Sequence, residues 1–179
     1  AYRMDGPWNP QKGLLFNKET ILLDPYARAV TGQSEWGRQD SGGFYKARVV
    51  EDDFDWGGFF RQPHPMEDLV IYELHVRGYT EHATSGVKNP GTFAGLAEKI
   101  PYLKDLGVNA VELMPIFEFD ETRTAREVDG QLLLDYWGYN SVGFFAPNTG
   151  YTAGLAYNRE GKELKQMIRA FQENGIEVI

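Results

Sequence analysis

The chain has 179 residues, of which 42% are hydrophobic, and 18 basic residues against 26 acidic ones give a formal net charge of −8. This composition is typical of a folded domain and unlike that of a disordered chain. The negative charge argues against a nucleic-acid partner, because such partners are bound by basic side chains. Cysteine is absent, which excludes disulfides, thiolate zinc sites and a cysteine nucleophile.

No part of the sequence resembles a membrane-spanning or exported segment. The apolar runs fall short of the roughly 18 residues that a transmembrane helix needs, so we expect no membrane partner. There is no apolar signal segment and no Asn-x-Ser/Thr acceptor for glycosylation. These features predict a cytoplasmic location.

Residues 1–62 alternate turn-forming dipeptides with short apolar pieces. Examples of these pieces are Leu14-Leu15-Phe16 and Ile21-Leu22-Leu23, which we interpret as short strands. The run Gln62-Pro63-His64-Pro65 is stiff, because each proline fixes its own φ and restricts the residue before it. We therefore place a domain boundary there, between 1–62 and 63–179.

After this boundary the pattern changes to buried strands and amphipathic helices. Residues 69–76 form an apolar, β-rich run that predicts a strand covered on both faces. Apolar residues then recur at steps of three and four from Phe93 to Leu106, which predicts a helix that Pro101 bends or restarts. A second strand is predicted over 108–114.

The remainder contains one long irregular segment and a second helix–strand unit. Residues 115–158 have no helical period and are too long for an ordinary connection, so we expect a functional loop or a small structure of its own. No matched short hairpins suggest a sandwich in residues 63–179. A helix is predicted around 164–171, closed by Asn174-Gly175, with a third strand at 176–179. The β-α-β-α-β order implies parallel strands with right-handed crossovers, as in the first part of a (β/α)₈ barrel or of a doubly wound domain.

Candidate binding residues cluster in the loop that follows the second predicted strand. The run 135–140 contains Trp137, Tyr139 and Asn140, and Gly138 between the two rings lets the backbone turn. Aromatic rings stack on the apolar faces of sugars, while an amide beside them binds hydroxyls. Residue types alone favour the alternative, in which these rings form a small core beneath the loop.

Other polar residues are weaker candidates. His75 is expected to be a satisfied core or barrel-lining residue in mid-strand, where Glu73 and Arg77 share its face and could pair with it. The His, Asp and Glu residues lack metal-ligand spacing, and there is no phosphate-binding glycine motif. Several carboxylates are interpreted as a solvated charged loop, namely Glu118, Asp120, Glu121, Glu127 and Asp129.

Several runs resemble the glycogen debranching and isoamylase branch of the α-amylase superfamily, in the same order and over nearly the whole chain. They are Tyr2-Arg3-Met4-Asp5-Gly6-Pro7-Trp8, Leu22-Leu23-Asp24-Pro25-Tyr26-Ala27, residues 70–80, residues 91–96, residues 107–115, Tyr136-Trp137-Gly138-Tyr139-Asn140 and residues 143–147. The resemblance implies an α/β fold. Residues 63–179 would be the first three strands and two helices of a (β/α)₈ barrel, ending in strand 3. Residues 1–62 would be the remnant of a carbohydrate-binding β-sandwich.

The same resemblance implies hydrolysis of α-1,6 branch linkages in glycogen or branched dextrins, with retention and without a cofactor. The carboxylate nucleophile and general acid of such enzymes would lie beyond this chain, so no catalytic residue and no metal site is assigned within it. Tyr139 resembles the tyrosine that stacks on the sugar beside the scissile bond, with Trp137 and Asn140 in supporting roles. A non-catalytic α-glucan-binding protein, a pullulanase and a branching enzyme stay open as alternatives.

Overall fold

A computed structural model describes residues 1–33, 36–38, 42, 44–58 and 63–179. In chain order the strands are β1 (Trp8–Asn9), β2 (Leu14–Leu15), β3 (Ile71–Leu74), β4 (Ala110–Leu113), β5 (Arg126–Val128), β6 (Gln131–Leu133) and β7 (Glu177–Val178). The α-helices are α1 (Val76–Thr80), α2 (Phe93–Ala97), α3 (Ile100–Asp105) and α4 (Arg159–Glu173). In the part of the chain that the structure describes, no helix is both long and apolar enough to cross a membrane.

The strands β3, β4 and β7 form one parallel sheet with β4 in the middle. Ile71 pairs with Ala110, and Ala110 pairs with Glu177 on the other side. The parallel β-α-β-α-β order predicted from the sequence is therefore confirmed. Local signals account for this order. Gly107 and Gly175, which both have positive φ, end the helices that precede β4 and β7.

The helices cover one face of this sheet, and much of the other face is open. Tyr72, Leu74 and Val111 face the helices and belong to the main core, whereas Glu73 and Glu112, which pair across β3 and β4, lie exposed on the other face. Coverage of both faces stays a prediction for a larger fold, because the described chain supplies helices for one face. The alternation of side chains along a strand puts Glu73 and Glu112 on the same face as each other.

The helices bury their apolar stripes against the sheet. The helix predicted from Phe93 is divided into α2 and α3, because Pro101 cannot donate a backbone hydrogen bond and stands in the first turn of α3. The second helix begins at Arg159, five residues before the predicted stripe, and ends before Gly175 as expected. Their largest buried side chains are Phe93, Leu96, Leu103, Met167 and Phe171.

The predicted strand 69–76 is too long at its carboxyl end. β3 ends at Leu74, and Val76 begins the short helix α1. His75 is the residue before the helix, and its Nδ1 accepts a hydrogen bond from the Gly78 N–H at 2.9 Å. This N-cap satisfies a donor that the helix itself leaves unpaired, and so it turns an apolar, strand-like sequence into a helix.

The irregular segment 115–158 contains the hairpin of β5 and β6 and a 3₁₀ turn at Thr149–Tyr151. The expectation of a small structure of its own is confirmed, and the statement that this part holds no matched hairpin is wrong. Asp129 and Gly130 both have positive φ, at 51° and 75°. An Asp-Gly pair in this conformation connects two strands in a tight turn, and that signal was present in the sequence.

Many contacts cross the predicted domain boundary. Val30 packs with Ala146 in a second, small core, and the half-buried Arg48 guanidinium pairs with the buried Glu160 carboxylate at the start of α4. Leu14–Leu15 is a strand, as predicted, and Leu22 bridges to Tyr2. Gln62 of the predicted linker lies outside the described residues. The boundary itself stays a prediction, but the first segment packs on the second over much of its length.

Candidate functional site

Residues 135–140 lie across the carboxyl ends of β3 and β4, the side on which parallel sheets bind ligands. Next to β3, the Nε2 atom of His75 lies 2.8 Å from the carbonyl oxygen of Tyr136. Beyond β4, the backbone of Gly138 lies so close to the Phe119 ring that a Cβ there would come within 2.8 Å of it. We call residues 135–140 the aromatic loop.

The turn in the aromatic loop is made by an aspartate and a glycine. The Asp135 Oδ1 atom accepts hydrogen bonds from the backbone N–H groups of Trp137 at 3.2 Å and Gly138 at 3.4 Å. Gly138 has a φ of 78°, in the left-handed region that side chains disfavour. The predicted role of Gly138 in turning the backbone is confirmed, and its contact with Phe119 is a second reason for glycine at this position.

The three residues predicted to bind the sugar, Trp137, Tyr139 and Asn140, differ in their exposure to solvent. Tyr139 is 72% exposed and Trp137 is 52% exposed, so both residues are accessible to a ligand. Asn140 is half-buried and its Oδ1 atom is shielded from solvent without a hydrogen-bond partner in the protein. A ligand hydroxyl cannot reach this shielded oxygen in the present conformation, so the accessible part of the loop is its two rings.

Trp137 also lines a cleft of about 750 Å³ together with Trp36, Arg77 and Asp135. The Arg77 guanidinium lies 4.5 Å from the centre of the Trp36 ring and pairs with Glu81 at 2.9 Å. Sequence reasoning missed Trp36, which lies far away along the chain. It also placed Arg77 on the strand face of His75, whereas Arg77 is in α1 and pairs elsewhere.

His75 is buried, and both of its ring nitrogens have partners. Nδ1 accepts from Gly78 N–H, while Nε2 lies near the Tyr136 carbonyl and 3.2 Å from the Tyr151 hydroxyl. Its interpretation as a satisfied core residue is confirmed, but its pairing with Glu73 or Arg77 is wrong. Burial lowers the pKa of His75, and the positive charge of Arg77 adds to this, whereas the hydrogen bond to the Tyr136 carbonyl partly offsets it.

Two carboxylates assigned to a solvated loop are fully buried. Glu118 accepts hydrogen bonds from the Thr149 backbone N–H at 2.6 Å and the Thr149 hydroxyl at 3.1 Å. Glu121 accepts from the Gln33 amide at 3.0 Å and from the Gly37 backbone N–H at 2.6 Å. The expectation of a solvated loop is therefore wrong at these two positions, because donors from distant segments satisfy both carboxylates.

Burial raises the pKa of both carboxyls, that of Glu118 to about 8. Their hydrogen bonds hold the segment after β4 to the first part of the chain, so we regard them as structural groups. Among the described residues, no group of three or more His, Asp and Glu side chains is arranged to hold a metal ion. What the site offers a ligand is a set of exposed aromatic faces with polar groups beside them.

The chain matches the family model "Alpha amylase, catalytic domain" over residues 60–179. The whole chain aligns with isoamylase 1, chloroplastic, of Arabidopsis thaliana at 40% identity and with a glycogen debranching enzyme of Yersinia enterocolitica at 39%. It covers 24% of the first relative and 29% of the second, so it spans about a quarter of their length.

Solved structures of similar proteins agree with these matches. The pullulanase type I of Bacillus subtilis, solved in complex with maltose, superposes with a TM-score of 0.68 over 91% of this chain and 23% of that one, at 27% identity. The pullulanase of Anoxybacillus sp. LM18-11, solved with maltotetraose, gives a TM-score of 0.61 over 87% of this chain and 23% of that one, at 31% identity.

Proposed function

The chain belongs to the alpha-amylase catalytic-domain family, and we propose that it is part of a glycoside hydrolase that cleaves α-1,6 branch linkages in glycogen or related α-glucans. The observation that carries this proposal is the alignment of the entire chain with isoamylases and a glycogen debranching enzyme at 39–42% identity. The alpha-amylase family includes enzymes with several activities. Identity of this level to debranching enzymes favours debranching among them. The cytoplasmic location stays a prediction, and the names of the plant relatives place those proteins in the chloroplast.

We propose that β3, β4 and β7 are the first three strands of a (β/α)₈ barrel formed by residues 63–179 and further segments, with residues 1–62 as the end of a β-sandwich. The exposed area supports a larger fold. The chain exposes 11296 Å², whereas a folded monomer of 20.3 kDa exposes roughly 8,800 Å². The sheet face with Glu73 and Glu112 is the surface that the remaining strands would cover.

In this proposal the reaction retains anomeric configuration and uses two carboxyl groups about 5–5.5 Å apart across the glycosidic bond, carried by later strands of the barrel. The present chain contributes sugar binding. Tyr139 stacks on the sugar next to the scissile bond, Trp137 extends the apolar surface, and Asn140 accepts from a hydroxyl. The exposure of Tyr139 and Trp137 supports their roles, whereas the role of Asn140 requires that its shielded amide oxygen be uncovered when the sugar binds.

A pullulanase is the second candidate, because two pullulanase structures with bound malto-oligosaccharides superpose on this chain. The full-length protein decides between the activities when it is incubated with glycogen, with pullulan and with linear amylose. We expect reducing ends from glycogen. Preferential cleavage of pullulan would indicate a pullulanase, new branches in amylose a branching enzyme, and binding without cleavage a non-catalytic protein.

The role of Tyr139 is tested in the same protein. Tyr139→Ala removes the stacking face and should lower kcat/KM about ten- to a hundredfold, whereas Tyr139→Phe keeps the ring and should stay within about twofold. Tyr102→Ala, which removes an exposed tyrosine from α3, is the matched control. Equal activity of Tyr139→Ala and the wild type would leave Tyr139 with no part in binding.

A further inference from the structure

We propose that His75 is the positioning residue of the aromatic loop: in its neutral form, with the proton on Nε2, it holds the Tyr136 carbonyl and so presents Trp137 and Tyr139 to the sugar. This inference rests on the proposed function, since it concerns how the same loop binds α-glucan. His75 does not touch the sugar itself. It acts through the backbone and ring of Tyr136.

The geometry leaves one protonation state for the imidazole. The Gly78 N–H donates to Nδ1 at 2.9 Å, so Nδ1 carries no proton. The Tyr136 carbonyl oxygen, 2.8 Å from Nε2, can only accept a hydrogen bond, so Nε2 must donate to it. In a doubly protonated ring Nδ1 would also carry a proton, so two N–H donors would face each other and the hydrogen bond from Gly78 would be lost. One side chain thereby caps α1 and binds the loop at the same time.

The ring contacts reinforce this arrangement. The Tyr136 ring stacks on the His75 ring at 4.4 Å with an interplanar angle of 14°, and the Trp137 ring meets it edge-on at 6.2 Å. The Tyr136 hydroxyl lies over Gly78, where a Cβ would come within 1.6 Å of it. Gly78 therefore provides the space in which Tyr136 docks, and His75 provides the face and the hydrogen bond.

The groups around the imidazole favour its neutral form. Arg77 from α1 brings a positive charge, and the neighbouring Tyr136 and Tyr151 bring hydroxyl groups. Burial lowers the pKa of His75 most, the hydrogen bond to the Tyr136 carbonyl raises it, and Arg77 lowers it, so the net shift favours the neutral ring. Tyr136, Trp137 and Tyr139 are exposed to solvent, so the part-buried hydrogen bond to His75 and the packing of Gly138 on Phe119 are attachments that hold the loop in place.

Two substitutions separate the two functions of the ring. The side-chain amide of Asn reaches the position of Nδ1, so His75→Asn keeps an acceptor for Gly78 N–H but loses the donor to Tyr136. The amide of Gln reaches the position of Nε2, so His75→Gln keeps that donor but loses the cap. Both variants are made in the full-length protein and assayed for cleavage of branched dextrin, for binding of maltotetraose by calorimetry, and for thermal stability.

We expect His75→Asn to raise KM and the maltotetraose Kd about tenfold with little change in kcat, and His75→Gln to keep both constants within about threefold while its Tm falls more. Equal constants for both variants and the wild type would overturn the proposal. The proposal would also be overturned if binding weakened most in the variant with the lowest Tm, because binding that follows stability is expected of a purely structural residue. A wild type that neither cleaves branched dextrin nor binds maltotetraose would instead contradict the proposed function.

Discussion

The buried carboxyl of Glu118 makes a direct prediction about stability and pH. Burial, together with the negative charges of Glu121 and Glu160, raises the pKa of Glu118 to about 8, against hydrogen bonds from Thr149 that lower it. The folded protein therefore retains this proton up to about pH 8, whereas the unfolded chain releases it near the ordinary value of 4.5. Between these limits the folded state binds more protons, so this group makes the protein less stable as pH rises.

The size of the effect follows from the difference between the two pKa values. A difference of about 3.5 at about 1.4 kcal/mol each gives about 5 kcal/mol as an upper bound on the stability lost between pH 4.5 and 8. Glu118→Gln removes this titration. Its amide oxygen still accepts from the Thr149 N–H, and its amide nitrogen faces the Thr149 hydroxyl, which then accepts a hydrogen bond instead of donating one. The variant should therefore be more stable than the wild type at pH 8 and similar to it at pH 4.5.

Thermal unfolding of the full-length protein between pH 4.5 and 8.5 measures this difference. We expect the Tm of the wild type to fall relative to that of Glu118→Gln as pH rises through this range. Glu127→Gln, which neutralises an exposed carboxylate of the neighbouring hairpin, is the matched control and should run parallel to the wild type. Parallel curves for all three proteins would refute the assignment of a protonated carboxyl at Glu118.

Three further predictions concern the packing and the extent of the chain. Arg48→Met leaves the Glu160 carboxylate buried without its partner and should lower the free energy of unfolding by about 3–5 kcal/mol, which is measured as a lower Tm. The double variant Arg48→Met/Glu160→Met should recover most of this stability, and no recovery would contradict a direct pairing. Residues 1–179 alone should release no reducing ends from glycogen or pullulan, and activity above a mock preparation would disprove this. The same polypeptide should self-associate and bind an apolar dye through its open sheet face and strand edges, so a sharp monomer in sedimentation without dye binding would show that it is self-sufficient.

The features that the sequence predicted correctly depend on neighbours within a few residues. The break before α3 follows from the missing N–H of Pro101, and the ends of α3 and α4 follow from Gly107 and Gly175, which adopt positive φ. The parallel order of the sheet follows because each strand is separated from the next by a helix. The turn at Gly138 belongs to the same class. The Asp129-Gly130 turn is equally local, although the hairpin that it connects was not predicted.

The tertiary structure alone decided which polar groups are buried and with what they pair. Glu121 looked like part of a solvated loop, yet its partner Gln33 lies 88 positions away. His75 looked like a mid-strand residue, yet its Nε2 atom meets a carbonyl 61 positions further on. Periodicity and propensity report the conformation of a segment, whereas the burial of a carboxylate or the tautomer of an imidazole depends on donors and acceptors that only folding brings within 3 Å.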